Sequence, residues 1–292
     1  TYDDGTKYRI EHAGRVSQDV FQTVAGFFCA IAGFAFVGRL AVRLTIRRKL
    51  YLDDYLLIFG TCGLVAATVI MYRFTHLIFV LNALKYDKSI LPTKADLNAI
   101  GSAQGINYSL IAMVWTATCC VKLCFLASFK TLISNVSIRI TVWYWAAVAL
   151  SIIQWILGFS VPFIICPSVG NDIITHCTPE TPYVKTLALN TFVTCLDFVT
   201  DLMIVSIPIW VLRNVRIRLT QKLAIAVFLC LSIGMIIAGI LRMSAAYHGG
   251  YWDLTWQYLL LYLESCVAIT MASVSAFRSV FVEQKRRREQ DQ

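Results

Sequence analysis

Thr186-Leu-Ala-Leu-Asn190-Thr-Phe-Val-Thr194-Cys-Leu-Asp197-Phe-Val-Thr-Asp201-Leu-Met-Ile-Val-Ser-Ile-Pro208-Ile-Trp-Val-Leu212 is apolar over the length a helix needs to cross about 30 Å of hydrocarbon, yet it holds two carboxylates. Asn190, Thr194, Asp197 and Asp201 recur at helical spacing, which puts all four on one face. Pro208 continues that face and is expected to kink the helix near its end. Two carboxylates one turn apart near the middle of a bilayer cannot both ionise cheaply. Either one keeps its proton or a cation neutralises the pair.

Working outward, six further stretches have a comparable apolar length: Val20–Val37, Tyr55–Tyr72, Ser102–Ser128, Thr141–Ile164, Leu223–Ala246 and Trp256–Val280. Hydrophobic residues make up 58% of the 292 and charged ones 15%, and the mean hydropathy is +0.67. A soluble domain carries about 25% charge and has no interior large enough to hide this much apolar surface. Disorder, collagen and small disulfide scaffolds are excluded on the same grounds. None of the stretches alternates as barrel strands do, and helices satisfy their own backbone hydrogen bonds in lipid. The expectation is an all-α bundle of seven transmembrane helices. Thr75–Leu84 is apolar but too short to span and reads as a surface segment on the outer side.

Orientation follows from the basic residues. The side holding Arg43, Lys130, Arg213 and the run Lys285–Arg288 collects fifteen Lys and Arg against five acids, whereas the other side is close to neutral. The positive-inside rule places the N-terminus outside and the C-terminus in the cytoplasm. The expected organisation is an extracellular or lumenal segment over residues 1–19, a transmembrane domain over 20–282 and a basic cytoplasmic tail over 283–292. This distribution accounts for the basic balance without nucleic acid. The tail reads as an anchor against anionic lipid or a contact for a cytoplasmic partner. The chain is thus expected in a membrane, plasma membrane or endomembrane.

Ionisable groups at bilayer depth mark functional sites by default, because they cost several kcal/mol unless paired or hydrated. Lys122 lies on a face of span three with Asn107 and Trp115; Arg242 lies in span six and Glu264 in span seven. Together with Asn190, Thr194, Asp197 and Asp201 these residues are the expected ligand-binding set, an ion-paired network around a polar cavity. Eight of the ten cysteines fall inside spans, where they act as small apolar residues. Cys166 and Cys177 share a loop on the outer side and are expected to form a disulfide, which stabilises a loop of that size by about 3 kcal/mol. His12, His76, His176 and His248 show no ligating spacing, and no metal site is expected.

Several known designs do not match. A retinal protein needs a lysine in its last helix, and Trp256–Val280 has none, so no cofactor is expected. Span three ends Lys122-Leu-Cys-Phe-Leu-Ala-Ser-Phe-Lys130 rather than in an acidic-Arg-aromatic triplet. Span seven reads Ser273-Val-Ser-Ala-Phe-Arg278 and lacks the Asn-Pro pair of vertebrate-type receptors. Asp197-x-x-x-Asp201 has no second acidic cluster of the kind membrane prenyltransferases use.

Taken together, the motifs resemble the fungal rhodopsin-domain family, seven-helix proteins that include receptor-like members and membrane proteins encoded beside secondary-metabolite clusters. The resemblance runs over Val20–Val282. Arg39-Leu-Ala-Val-Arg43 through Leu52-Asp53-Asp54-Tyr55 is similar to the family's Arg-rich loop ending in Asp-Asp. His76, Lys122, Cys166-Pro167 with Cys177, Asp197-Phe-Val-Thr-Asp201-Leu with Ile207-Pro208-Ile209-Trp210, Arg242 and Glu264 stand at further family positions. Tyr72 and Phe74 replace family glycines, and Ser275 and Ser279 replace prolines of the last helix. Despite its name, the family is not expected to bind retinal.

Two functions follow as leading expectations, ahead of a third, proton-coupled transport, which uses the same buried acids but for which seven spans give no obvious inverted repeat. The first is a receptor-like sensor of a small hydrophobic ligand or metabolite, with basic inner loops facing a signalling partner. The second is a membrane-embedded isomerase or cyclase of secondary metabolism, with Asp197 or Asp201 as general acid and Glu264 as base or charge stabiliser.

Overall fold

The computed structural model describes residues 3–48, 50–86, 94–133, 138–165, 183–213, 237, 239–242, 247–248 and 251–290. The elements are α1 (Asp4–Glu11), α2 (Gln18–Val42), α3 (Leu52–Tyr86), α4 (Lys94–Ile133), α5 (Ile138–Ile165), α6 (Tyr183–Arg213) and α7 (Leu254–Gln290). Before α7, β1 (Tyr247–His248) pairs antiparallel with β2 (Tyr251–Trp252). Residues 239–242 are helical. Among the described residues six helices, α2 through α7, are long and apolar enough to cross a bilayer. The chain is a multi-pass membrane protein. The expected crossing Leu223–Ala246 lies mostly outside the described residues, as do Cys166 and Cys177. Among the described residues seven cysteines are free thiols.

Apolar side chains lie on both sides of these helices. Phe34 on α2 is 81% exposed and Phe59 on α3 is 63% exposed, an arrangement that suits lipid and would fail in water. Inward positions instead favour small residues. Ala25, Ala32, Ala67, Ala117, Ala147, Ala268 and Ala272 are essentially fully buried, and small side chains let helices in lipid approach closely. Helix α4 is the centre of the bundle and packs against α3, α5, α6 and α7, while α2 packs against α3 and α7.

The segment Thr75–Leu84 corrects the sequence-based expectation of a separate surface element. It is the continuation of α3, a single helix of 35 residues, about 52 Å long at 1.5 Å per residue. Phe79, Val80, Asn82 and Ala83 are buried, partly because α1 packs on α3. Helix α7 runs on to Gln290.

Both ends of the bundle are tied by polar groups. At one end Asp253 begins α7 by accepting the Thr255 backbone N–H at 3.0 Å and its hydroxyl at 2.6 Å, as an N-capping carboxylate does. The same carboxylate accepts the Arg15 backbone N–H at 3.0 Å and the Asn82 side-chain amide at 3.1 Å, and that amide also bonds the Ala13 carbonyl at 2.8 Å. Gly14 sits within this knot at φ 129°, where a Cβ would lie 2.7 Å from Thr255 Oγ1 and 2.9 Å from Asn82 Nδ2.

At the basic end, Arg39 stands in the last turn of α2 and Arg43, one turn on, begins the π-helical turn Arg43–Arg47 that closes that helix. Arg39 reaches Asp53 at 2.7 Å and Asp54 at 2.8 Å, and Arg43 reaches Asp53 at 2.9 Å. Asp54 also accepts the Tyr51 backbone N–H at 3.1 Å. Both acids lie in the first turn of α3, where the helix dipole favours negative charge. The remaining Arg39 donor bonds the Ala272 carbonyl of α7 at 2.6 Å.

Candidate functional site

On α6, Thr194, Asp197, Thr200 and Asp201 are buried and Asn190 is half-buried, whereas Phe192, Val199 and Leu202 face outward. Lys122 of α4 enters between the two carboxylates. Its ammonium group lies 2.7 Å from Asp197 Oδ1, 2.9 Å from Asp201 Oδ1 and 2.6 Å from the Thr200 hydroxyl. The Gln154 amide oxygen at 3.1 Å and the Asp197 backbone carbonyl at 3.3 Å are within reach as well, so five acceptors surround the three protons of the ammonium group. The acid pair on α6 thus shares one cation.

Gln154 of α5 completes the arrangement. Its amide donates to Asp197 Oδ1, and its carbonyl oxygen accepts the Thr200 hydroxyl at 2.8 Å. Neither Gln154 nor Thr200 was among the residues expected at the site. A signal for Gln154 was available, since it is the only amide side chain between Thr141 and Ile164 and a buried polar group in lipid needs a partner. Thr200 follows Asp197 by three positions and therefore shares its face.

A second pair adjoins the first. Arg242 donates to Glu264 of α7 at 2.7 Å and to the Thr194 hydroxyl at 3.1 Å. Thr194 in turn bonds the Asn190 carbonyl at 2.8 Å, one turn back along α6. Gly239 allows this approach, because a Cβ there would lie 2.5 Å from the Phe198 ring. The Glu264 carboxyl group also comes within hydrogen-bonding range of Asp197, which links the two pairs. Arg242 Nε and Asp197 Oδ2 are buried; among the described residues the first finds no acceptor and the second receives no hydrogen bond from an N–H or hydroxyl donor.

Two expected members lie apart from the charges. Trp115 packs with Val161 and Val193 in a small apolar cluster of α4, α5 and α6. Its indole covers Gly158, where a Cβ would sit 2.7 Å from the ring. Asn107 accepts the Tyr258 hydroxyl and so ties α4 to α7. The structure thus brings Lys122, Thr194, Asp197, Asp201, Arg242 and Glu264 into one cluster, with Asn190 joined through its backbone.

The Arg39–Arg43–Asp53–Asp54 group was visible as a sequence motif but was not expected to be a site. Its four side chains are all buried, and it fastens α2, α3 and α7 at the basic end.

No curated protein and no solved structure matches this sequence. The family model described as the fungal rhodopsin domain matches residues 38–283, a stretch that takes in both charged clusters. The chain belongs to the fungal rhodopsin domain family.

Proposed function

We propose that the protein is a receptor-like sensor of a small hydrophobic ligand. In this reading the N-terminus is outside, the basic end faces the cytoplasm and a signalling partner, and no bound cofactor takes part. The ligand enters from the outer side or from the bilayer, and its polar group meets the cluster on α4, α6 and α7. The observation that carries the reading is Arg242: its Nε is a buried donor without an acceptor among the described residues, while its other nitrogens hold Glu264 and Thr194. An unused donor in an apolar interior loses free energy until an acceptor arrives, so a carbonyl or hydroxyl oxygen on an otherwise apolar ligand suits it. Lys122, by contrast, is saturated and serves to hold the helices in one arrangement.

A membrane-embedded isomerase or cyclase of secondary metabolism is the second reading. It is favoured by the approach of Glu264 to Asp197, because a carboxylic acid held in apolar surroundings is a competent general acid.

The test is a thermal-shift screen of the protein in lipid nanodiscs against hydrophobic metabolites, with recovery and analysis of each stabilising compound. A compound that raises Tm in the wild type but not in Arg242→Gln, and is recovered unchanged, supports the sensor. Recovery of a rearranged product that disappears in Asp197→Asn supports the enzyme. If neither occurs, and Asp197→Asn and Asp201→Asn behave as wild type in cells, both readings fail.

A further inference from the structure

The charges of the cluster do not balance. Lys122 and Arg242 supply two positive charges, whereas Asp197, Asp201 and Glu264 supply three negative ones if all ionise. The five side chains are at most 11% exposed. A net charge left at this depth carries a penalty of several kcal/mol, so one more positive charge is required.

The hydrogen bonds show where it belongs. Asp197 Oδ1 accepts from both Lys122 and Gln154, and Asp201 Oδ1 accepts from Lys122. Glu264 Oε2 accepts from Arg242. Among the described residues Asp197 Oδ2 is buried and has no N–H or hydroxyl donor, yet the Glu264 carboxyl group is within hydrogen-bonding range of Asp197. Two ionised carboxylates offer only acceptors to each other and repel. The contact is attractive only if one of the two carries hydrogen.

We propose that Glu264 and Asp197 form a proton-binding site, with the proton on Glu264 and donated to Asp197 Oδ2. Asp197 already has two other donors and is the better place for the negative charge. Uptake forms one O–H bond on Glu264, takes the cluster from one net negative charge to zero, and involves no oxidation or reduction. The groups around the site are Lys122 on α4, Asp201 on α6, Arg242 in segment 239–242 and the neutral Gln154 on α5. The bound proton joins α6 directly to α7, beside the bridge from Thr194 through Arg242 to Glu264. The inference does not depend on whether the cluster also meets an organic ligand.

The test is infrared spectroscopy of the whole chain in nanodiscs at neutral pH, in light and heavy water, with carbon-13 glutamate or aspartate incorporated. Glu264 is the only glutamate between Glu180 and Glu283, so a buried glutamic acid is identifiable. The expected result is a carboxylic C=O band that moves on deuteration and with glutamate labelling, and that is absent in Glu264→Gln. The glutamine amide can donate to Asp197 and accept from Arg242, so this variant should stay folded. Its Tm should also be independent of pH across the range where the wild type loses stability as the proton leaves. Absence of the band from the folded wild type overturns the proposal. So does a band that responds to aspartate labelling alone, or one that persists in Glu264→Gln. The wild-type spectra decide the question even if Glu264→Gln fails to fold.

Discussion

Arg39 Nη1 donates to the backbone carbonyl oxygen of Ala272 across 2.6 Å, joining residues 233 positions apart in the chain. The same guanidinium holds Asp53 and Asp54, so one side chain closes three helices on each other. Planar, forked donors suit such a task, and a lysine could not serve all three acceptors in that geometry.

Arg39→Met should therefore destabilise the protein by about 3–5 kcal/mol, the cost of stripping a partner from buried charges. Arg39→Lys should fall between that variant and wild type. Thermal unfolding in detergent gives the order, and an Arg39→Met protein as stable as wild type would show that the clamp contributes nothing.

Lys122→Met leaves Asp197 and Asp201 without their cation and should cost about 3–5 kcal/mol. Combining it with Asp197→Asn and Asp201→Asn should restore most of the loss, because neutral amides no longer need the ammonium. The fraction of monodisperse protein after graded heating reports both effects, and a triple variant no better than Lys122→Met contradicts the assignment.

At Gly158 a new methyl group meets the Trp115 ring at 2.7 Å. Overpacking of this kind costs about 1–3 kcal/mol. Gly158→Ala should be clearly destabilising alone and nearly harmless in a Trp115→Leu background. A double-mutant cycle measures the coupling, and simple additivity would place the two residues out of contact.

Gly14→Ala meets both a positive φ and side-chain atoms of Thr255 and Asn82, at a cost of about 1–3 kcal/mol for the backbone alone. The effect should stay local. Hydrogen exchange is expected to accelerate over residues 4–16 while α4 and α6 remain protected, and unchanged exchange in α1 would refute the anchoring role of this knot.

Much of this architecture was legible before any coordinates. Bilayer thickness imposes a length on apolar runs, so the six described crossings appear as hydropathy stretches, and period 3.6 aligns Asn190, Thr194, Asp197 and Asp201 on one face. Thr75–Leu84 misled because it was weighed as a run of its own, whereas a helix ends only where its backbone bonding ends, and this one continues to Tyr86. Trp115 and Asn107 share a helical face with Lys122, yet they meet an apolar cluster and Tyr258 respectively, since neighbouring helices differ from turn to turn.

The amino-acid order by itself determined that the protein is helical and membrane-spanning, and that it carries acids and bases too costly to leave unpaired in lipid. Only the tertiary structure decided the pairing: Lys122 between Asp197 and Asp201, Gln154 beside them, Arg242 on Glu264, and Arg39 on Ala272. The reason is that solvation is a property of each residue and its local run, whereas a partner within 3 Å depends on how helices distant in sequence come to lie together.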